Sequence, residues 1–200
     1  MVYGFNYSKE EMKLSKNSIN PNLVLVVDIH NHITLPFVVV NPKGDILYMT
    51  HINALGENYI IRKKCISEIV NIIKLYPSID TILLEENKLF IDKIDRYPDP
   101  MVLRNIMLGF GIQISIEDNF YDSMTIIALP SYDWRSRILN RNTTYSIDLY
   151  KSHVLQKQNI SEEQLEQISN NNYYKAVCLS ESVLFDSLMN KKYQINKGDT

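Results

Sequence analysis

The feature that most constrains this chain is a short apolar run that ends on an acid. Leu23, Val24, Leu25, Val26 and Val27 lead directly into Asp28, and three of the five apolar residues are β-branched. Such a run suits a buried strand and is too short to span a bilayer. Asp28 then stands at the carboxyl end of that strand, presented at the margin of a sheet.

The chain beyond this run reads as alternating elements. Residues 35–40 are apolar, Asn41-Pro42-Lys43-Gly44-Asp45 is turn chemistry, and 46–52 returns with partial alternation. This predicts an antiparallel hairpin after the first strand. From Asn58 the spacing becomes helical through Ile61, Cys65, Ile66, Ile69, Ile72, Ile73 and Tyr76, and Pro77 stops it. Thr81-Ile82-Leu83-Leu84 is a short buried strand ending on Glu85-Glu86. Pro98 and Pro100 introduce a second helix, expected to close at Gly109 and Gly111 before an extended piece over 112–116. A strand over 124–129 ends at Pro130, and a short helix over 131–139 has Ser131 as its expected cap. Helices follow over 144–158, from Ser161 with Gln164 completing a capping box, and over 173–189 after an Asn170-Asn171-Asn172 break. Three strands, then helices alternating with strands, imply an α/β protein: a mixed sheet with helices on its faces.

Composition narrows the class. With 200 residues and 45% hydrophobic, the chain suits one domain over 22–189, with a polar arm over 1–21 and a polar tail over 190–200. It shows no leader and no apolar stretch long enough for a membrane span, so a cytoplasmic location is expected. The net charge of -2 excludes a global field that would gather nucleic acid. Local basic groups remain, Arg62-Lys63-Lys64 and the set Arg135, Arg137 and Arg141, each of which could equally be a solvated face. Cys65 and Cys178 lie inside apolar periodic segments and are expected in the core.

The candidate chemistry rests on Asp28 and Glu85. If their strands are neighbours, two carboxylates face each other at close range, and a divalent cation with oxygen ligands relieves the repulsion. Two such ions can activate a water and stabilise the leaving oxygen in phosphodiester cleavage. For either acid alone, a strand-end or turn role is the simpler account.

The ordered pieces resemble the RNase H-like superfamily, and within it the RuvC-type Holliday junction resolvases of small viral and phage-like form. The pieces are Val24-Leu25-Val26-Val27-Asp28, the hairpin turn at 41–45, Ile82-Leu83-Leu84-Glu85-Glu86-Asn87, Ala128-Leu129-Pro130-Ser131 with Trp134-Arg135, and Ala176-Val177-Cys178-Leu179-Ser180-Glu181. The resemblance implies a metal-dependent endonuclease for branched DNA, a homodimer, Mg²⁺ or Mn²⁺, and a sheet with a three-strand antiparallel start followed by parallel strands. It assigns Asp28 and Glu85 as catalytic metal ligands, with Glu86 as the alternate. Family members carry one or two Asp on the last helix, and those positions here hold Asn172 and Lys175. Asn172 can still offer an oxygen to a cation, whereas Lys175 repels one. Glu181 is the nearest acid on that helix and the remaining catalytic candidate, although it lies six residues beyond Lys175.

Two further readings follow. A domain with a degenerate site would keep the fold for binding or regulation without cleavage. Alternatively, Asp28-Ile29-His30-Asn31-His32 resembles the first metal motif of barrel hydrolases that bind Zn or Mn. Trp134, Arg135, Arg137, Lys151 and Lys175 are the candidate nucleic-acid contacts, with Trp134 as a core anchor in the competing account.

Overall fold

In the computed structural model, which describes residues 22–30, 33–86, 99–139, 146–157 and 159–185, the opening apolar run is the middle strand of a five-stranded sheet. The strands are β1 (Leu23–Val27), β2 (Thr34–Val40), β3 (Ile46–Asn53), β4 (Ile79–Glu85) and β5 (Thr125–Leu129), in the spatial order β3-β2-β1-β4-β5. β1 pairs antiparallel with β2 and β2 with β3, while β1–β4 and β4–β5 are parallel. This is the mixed sheet expected from the element order, with a three-strand antiparallel start followed by parallel strands. The arm over 1–21 and the tail over 190–200 lie outside the described residues.

Both faces of the sheet are covered, which explains why β1 is apolar throughout. Leu23, Leu25 and Val27 point into one core beneath α1 (Asn58–Leu75) and α2 (Pro100–Phe120), with Ile61, Ile69, Ile112 and Ile116. Val24 and Val26 point into the other, with Trp134, Tyr150, Val154, Tyr173 and Val177. That second core is roofed by α3 (Ser131–Ile138), α4 (Ile147–Leu155), α5 (Glu162–Asn171) and α6 (Tyr174–Ser180), and a 3₁₀ turn over Glu181–Leu184 continues from α6. Cys65 and Cys178 are buried, one in each core, as expected.

Several boundaries differ from the sequence-based expectation. The second helix does not close at Gly109 and Gly111, and 112–116 is not extended; α2 runs unbroken from Pro100 to Phe120. Leu108, Ile112, Ile116 and Phe120 are buried at i, i+4 spacing. Each such side chain gains roughly 1.5–3 kcal/mol on burial, which exceeds the cost of about 1 kcal/mol for each interior glycine. α1 packs closely against this stretch: a Cβ at Gly111 would lie 2.9 Å from the flexible Arg62 side chain. Ser131 does not cap α3: Pro130 occupies the cap position and Ser131 is the first helical residue. The last helix ends at Ser180, and its expected continuation over 186–189 lies outside the described residues.

The capping box of α5 is present, with Ser161 Oγ accepting from the Gln164 backbone and Gln164 returning the bond. Gln164 Nε2 also donates to the Ile46 carbonyl, and Gln167 Nε2 to that of Met49, both at 3.0 Å. These bonds occupy carbonyls of the edge strand β3 that would otherwise invite another strand. Among the described residues, no helix is long and apolar enough to cross a membrane.

Candidate functional site

The pairing of β1 with β4 sets Val27 beside Leu84, so Asp28 and Glu85 follow side by side at the carboxyl ends of adjacent parallel strands. Their exposure is only 2% and 3%. Burial of two carboxylates requires partners, and four residues supply them. Lys175, in the first turn of α6, places Nζ 3.1 Å from Asp28 Oδ1 and 3.4 Å from Glu85 Oε2. One Arg135 guanidinium nitrogen forks onto Glu85 at 2.7 and 3.0 Å, and Trp134 Nε1 donates to Glu85 Oε2 at 3.1 Å. The His30 backbone N–H donates to Asp28 Oδ1 at 3.1 Å, while His30 Nδ1 lies 3.9 Å from Glu85 Oε1.

The backbone explains how Lys175 arrives there. Asn172 ends α5 in the left-handed conformation (φ 56°), and the Tyr173 N–H bonds back to the Ile168 carbonyl. Asn tolerates this conformation better than most residues, and the reversal it makes sends α6 toward the strand ends. Asn172 itself is exposed at that corner and does not join the acid pair. Trp134 and Arg135 reach Glu85 because β5 runs parallel beside β4 and α3 starts immediately beyond it.

The electrostatics follow from these contacts. Burial alone would raise the pKa of Asp28, but Lys175 first, then His30, outweigh it and hold the carboxyl below its ordinary range. Burial likewise opposes ionisation of Glu85, and Lys175, His30 and Arg135 together prevail and keep it low. His30 is pushed down to about 4, chiefly by burial and next by the Lys175 charge, so it is neutral at pH 7. Two carboxylates are thus matched by one ammonium and one guanidinium.

This donor set does not fit the Mg²⁺ or Mn²⁺ that the resemblance implies. The oxygens facing across the gap, Asp28 Oδ1 and Glu85 Oε2, both hold the Lys175 ammonium, where a bridging cation would sit. A dication about 4 Å from that ammonium would be repelled, and among the described residues the cluster has no net negative charge left to draw it in.

The remaining expected residues divide clearly. Trp134 is fully buried and stacks on Tyr150, with the ring centroids 6.1 Å apart, so it is not available to stack on a base. Arg135 and Lys175 belong to the acid cluster rather than to a bare basic surface. Arg137 and Lys151 are exposed on α3 and α4. Glu181 does not reach Asp28 or Glu85; it pairs instead with His153 at 3.0 Å and Lys157 at 3.0 Å. The turn from α6 into the 3₁₀ segment carries it to that other face. The barrel-hydrolase expectation fails on the fold, since the sheet is open, five-stranded and mixed, and His32 lies outside the described residues. Sequence reasoning missed that Arg135 and Trp134 serve Glu85. The signal was their place five and six residues after the end of the strand neighbouring that of Glu85.

No family model matches the chain, and no curated protein does. Among solved structures it is similar to Thermus thermophilus RuvC, with a TM-score of 0.49 and 10% identity over 80% of this chain and 93% of that one. T. thermophilus RuvC in complex with Holliday junction substrate gives a TM-score of 0.47 and 9% identity, covering 81% and 93%.

Proposed function

We propose that this protein is an RNase H-like module that binds branched or otherwise structured DNA without divalent-metal-dependent cleavage. The observation that carries the reading is the Lys175 ammonium between Asp28 and Glu85, at 3.1 and 3.4 Å. In this reading an internal cation does the electrostatic work of a bound metal: it lets two carboxylates stay ionised while buried, and so ties the ends of β1 and β4 to α6. Arg135 and Trp134 tie α3 to the same point. The result is a rigid sheet end and no oxygen cage to polarise water. The DNA class follows the sequence resemblance, with the exposed Arg137 and Lys151 as phosphate contacts and a homodimer matching the two-fold character of a junction.

A second reading keeps the metal-dependent junction endonuclease. It is favoured by one observation, the adjacency of two ionised acids on parallel strands, and it requires the Lys175 side chain to leave the gap. One experiment separates the two: a labelled four-way junction beside linear duplex, with Mg²⁺, with Mn²⁺ and with EDTA. The expected result is junction binding in EDTA and intact DNA in every metal. Metal-dependent paired nicks would establish the second reading, and absence of binding in all conditions would remove the DNA assignment.

A further inference from the structure

A second cluster of ligating side chains stands apart from the strand-end acids. We propose that His153, Cys178 and Glu181 form a site for a thiophilic divalent transition-metal ion, Zn²⁺ foremost, where α4 meets the end of α6. Cys178 and Glu181 are three residues apart at the carboxyl end of α6, a spacing that puts both on one side of the helix. α4 packs against α6 and delivers His153, whose Nε2 is 3.0 and 3.1 Å from the two Glu181 carboxylate oxygens. The Cys178 thiol points the same way, donating to the Tyr150 carbonyl of α4 at 3.8 Å.

One ligand atom from each residue lies within 4.8 Å of the other two. Around tetrahedral zinc, with bonds of about 2.0–2.3 Å, ligand atoms sit roughly 3.3–3.8 Å apart. Side-chain adjustments of about 1 Å close that gap. Imidazole, thiolate and one carboxylate are a zinc ligand set, whereas Mg²⁺ demands oxygens. Lys157 holds Glu181 Oε1 at 3.0 Å and leaves Oε2 to face the ion. On binding, Cys178 gives its thiol proton to solvent and exchanges its bond to the Tyr150 carbonyl for a sulfur–metal bond. Three protein ligands leave the fourth position to water or to an outside donor.

The test uses the full chain, stripped with chelator and then titrated with Zn²⁺, Co²⁺ or Mg²⁺ under reducing conditions. Expected are one Zn²⁺ per chain after dialysis, a thiolate-to-cobalt charge-transfer band with Co²⁺, and no retained Mg²⁺. His153→Ala and Glu181→Gln, both at half-buried positions, should each weaken Zn²⁺ binding by more than about tenfold while circular dichroism stays unchanged. Cys65→Ala, in the opposite core, should leave the cobalt band in place. No stoichiometric Zn²⁺, a cobalt spectrum without the band, or binding indifferent to both variants would overturn the site and leave only a His153–Glu181–Lys157 ion-pair network.

Discussion

The two clusters each hold an acid and a lysine, yet they invite opposite chemistry. At the strand ends, Asp28 and Glu85 offer only hard oxygens, and Lys175 stands between them with Arg135 behind. At the α4–α6 junction, Lys157 takes one oxygen of Glu181, while an imidazole reaches both oxygens and a thiol lies close by. The difference teaches that paired acidic or ligating residues do not by themselves define a metal site. The location of the nearest cation, between the ligands or to one side, decides whether an ion has room and a net attraction.

The sharpest way to break this comparison is to remove the cation that stands between the acids. Lys175→Met leaves Asp28 without its cation and Glu85 with Arg135 alone, and loss of one partner of a buried ion pair costs about 3–5 kcal/mol. Urea denaturation should show that loss, partly restored by millimolar Mg²⁺ in the variant and not in the parent chain. Equal stabilisation of the parent by Mg²⁺ would mean that Lys175 does not occupy the cation position.

A smaller effect is expected from pH. The His30 pKa in the fold is about 4 against an ordinary 6.5. Between these values the unfolded chain takes up a proton that the folded chain refuses, so stability falls as the pH drops through that window. The loss should reach about 2–3 kcal/mol. Asp28 and Glu85, both held low, contribute stability that is full above their ordinary values of 3.8 and 4.5 and is lost only as the pH falls through their still lower folded pKa values. Urea midpoints at pH 7 and pH 4.5 should therefore diverge in the parent and draw together in His30→Asn; equal divergence in both would clear His30 of the effect. Smaller again is Trp134→Phe, which keeps the buried ring but removes the indole donor to Glu85. Loss of one hydrogen bond to a charged group is expected to cost about 1.5–2 kcal/mol at neutral pH, read from the same urea curves.

Much of the sheet was legible in the sequence because its strands are short apolar runs with acids or turn residues at their ends. Asp28 and Glu85 were legible for the same reason, and strand order then made them neighbours. The roles of Arg135 and Trp134 were not, because they depend on which helix begins beside β4, a tertiary fact. Gly109 and Gly111 misled because a helix-stop rule weighs local conformation and cannot see Arg62 filling the space beside Gly111. Asn172 and Lys175 stood out as departures from the acidic pattern. That Asn172 turns the backbone and Lys175 bridges both acids depends on how α5, α6 and the strand ends meet in space.

The smallest expected effect tests the other half of the comparison. If Lys157 sits to one side of its cluster, Lys157→Ala should alter stability by about 1 kcal/mol, since Glu181 keeps its bonds to His153. The same substitution frees Glu181 Oε1 and removes a positive charge beside the proposed ion, so Zn²⁺ affinity should rise several-fold in a competitive chelator titration. Lys175→Met should leave that affinity untouched. A fall in Zn²⁺ affinity on losing Lys157 would show that its hold on Glu181 orients the ligand. The two lysines would then differ in what they position, and not in whether they obstruct.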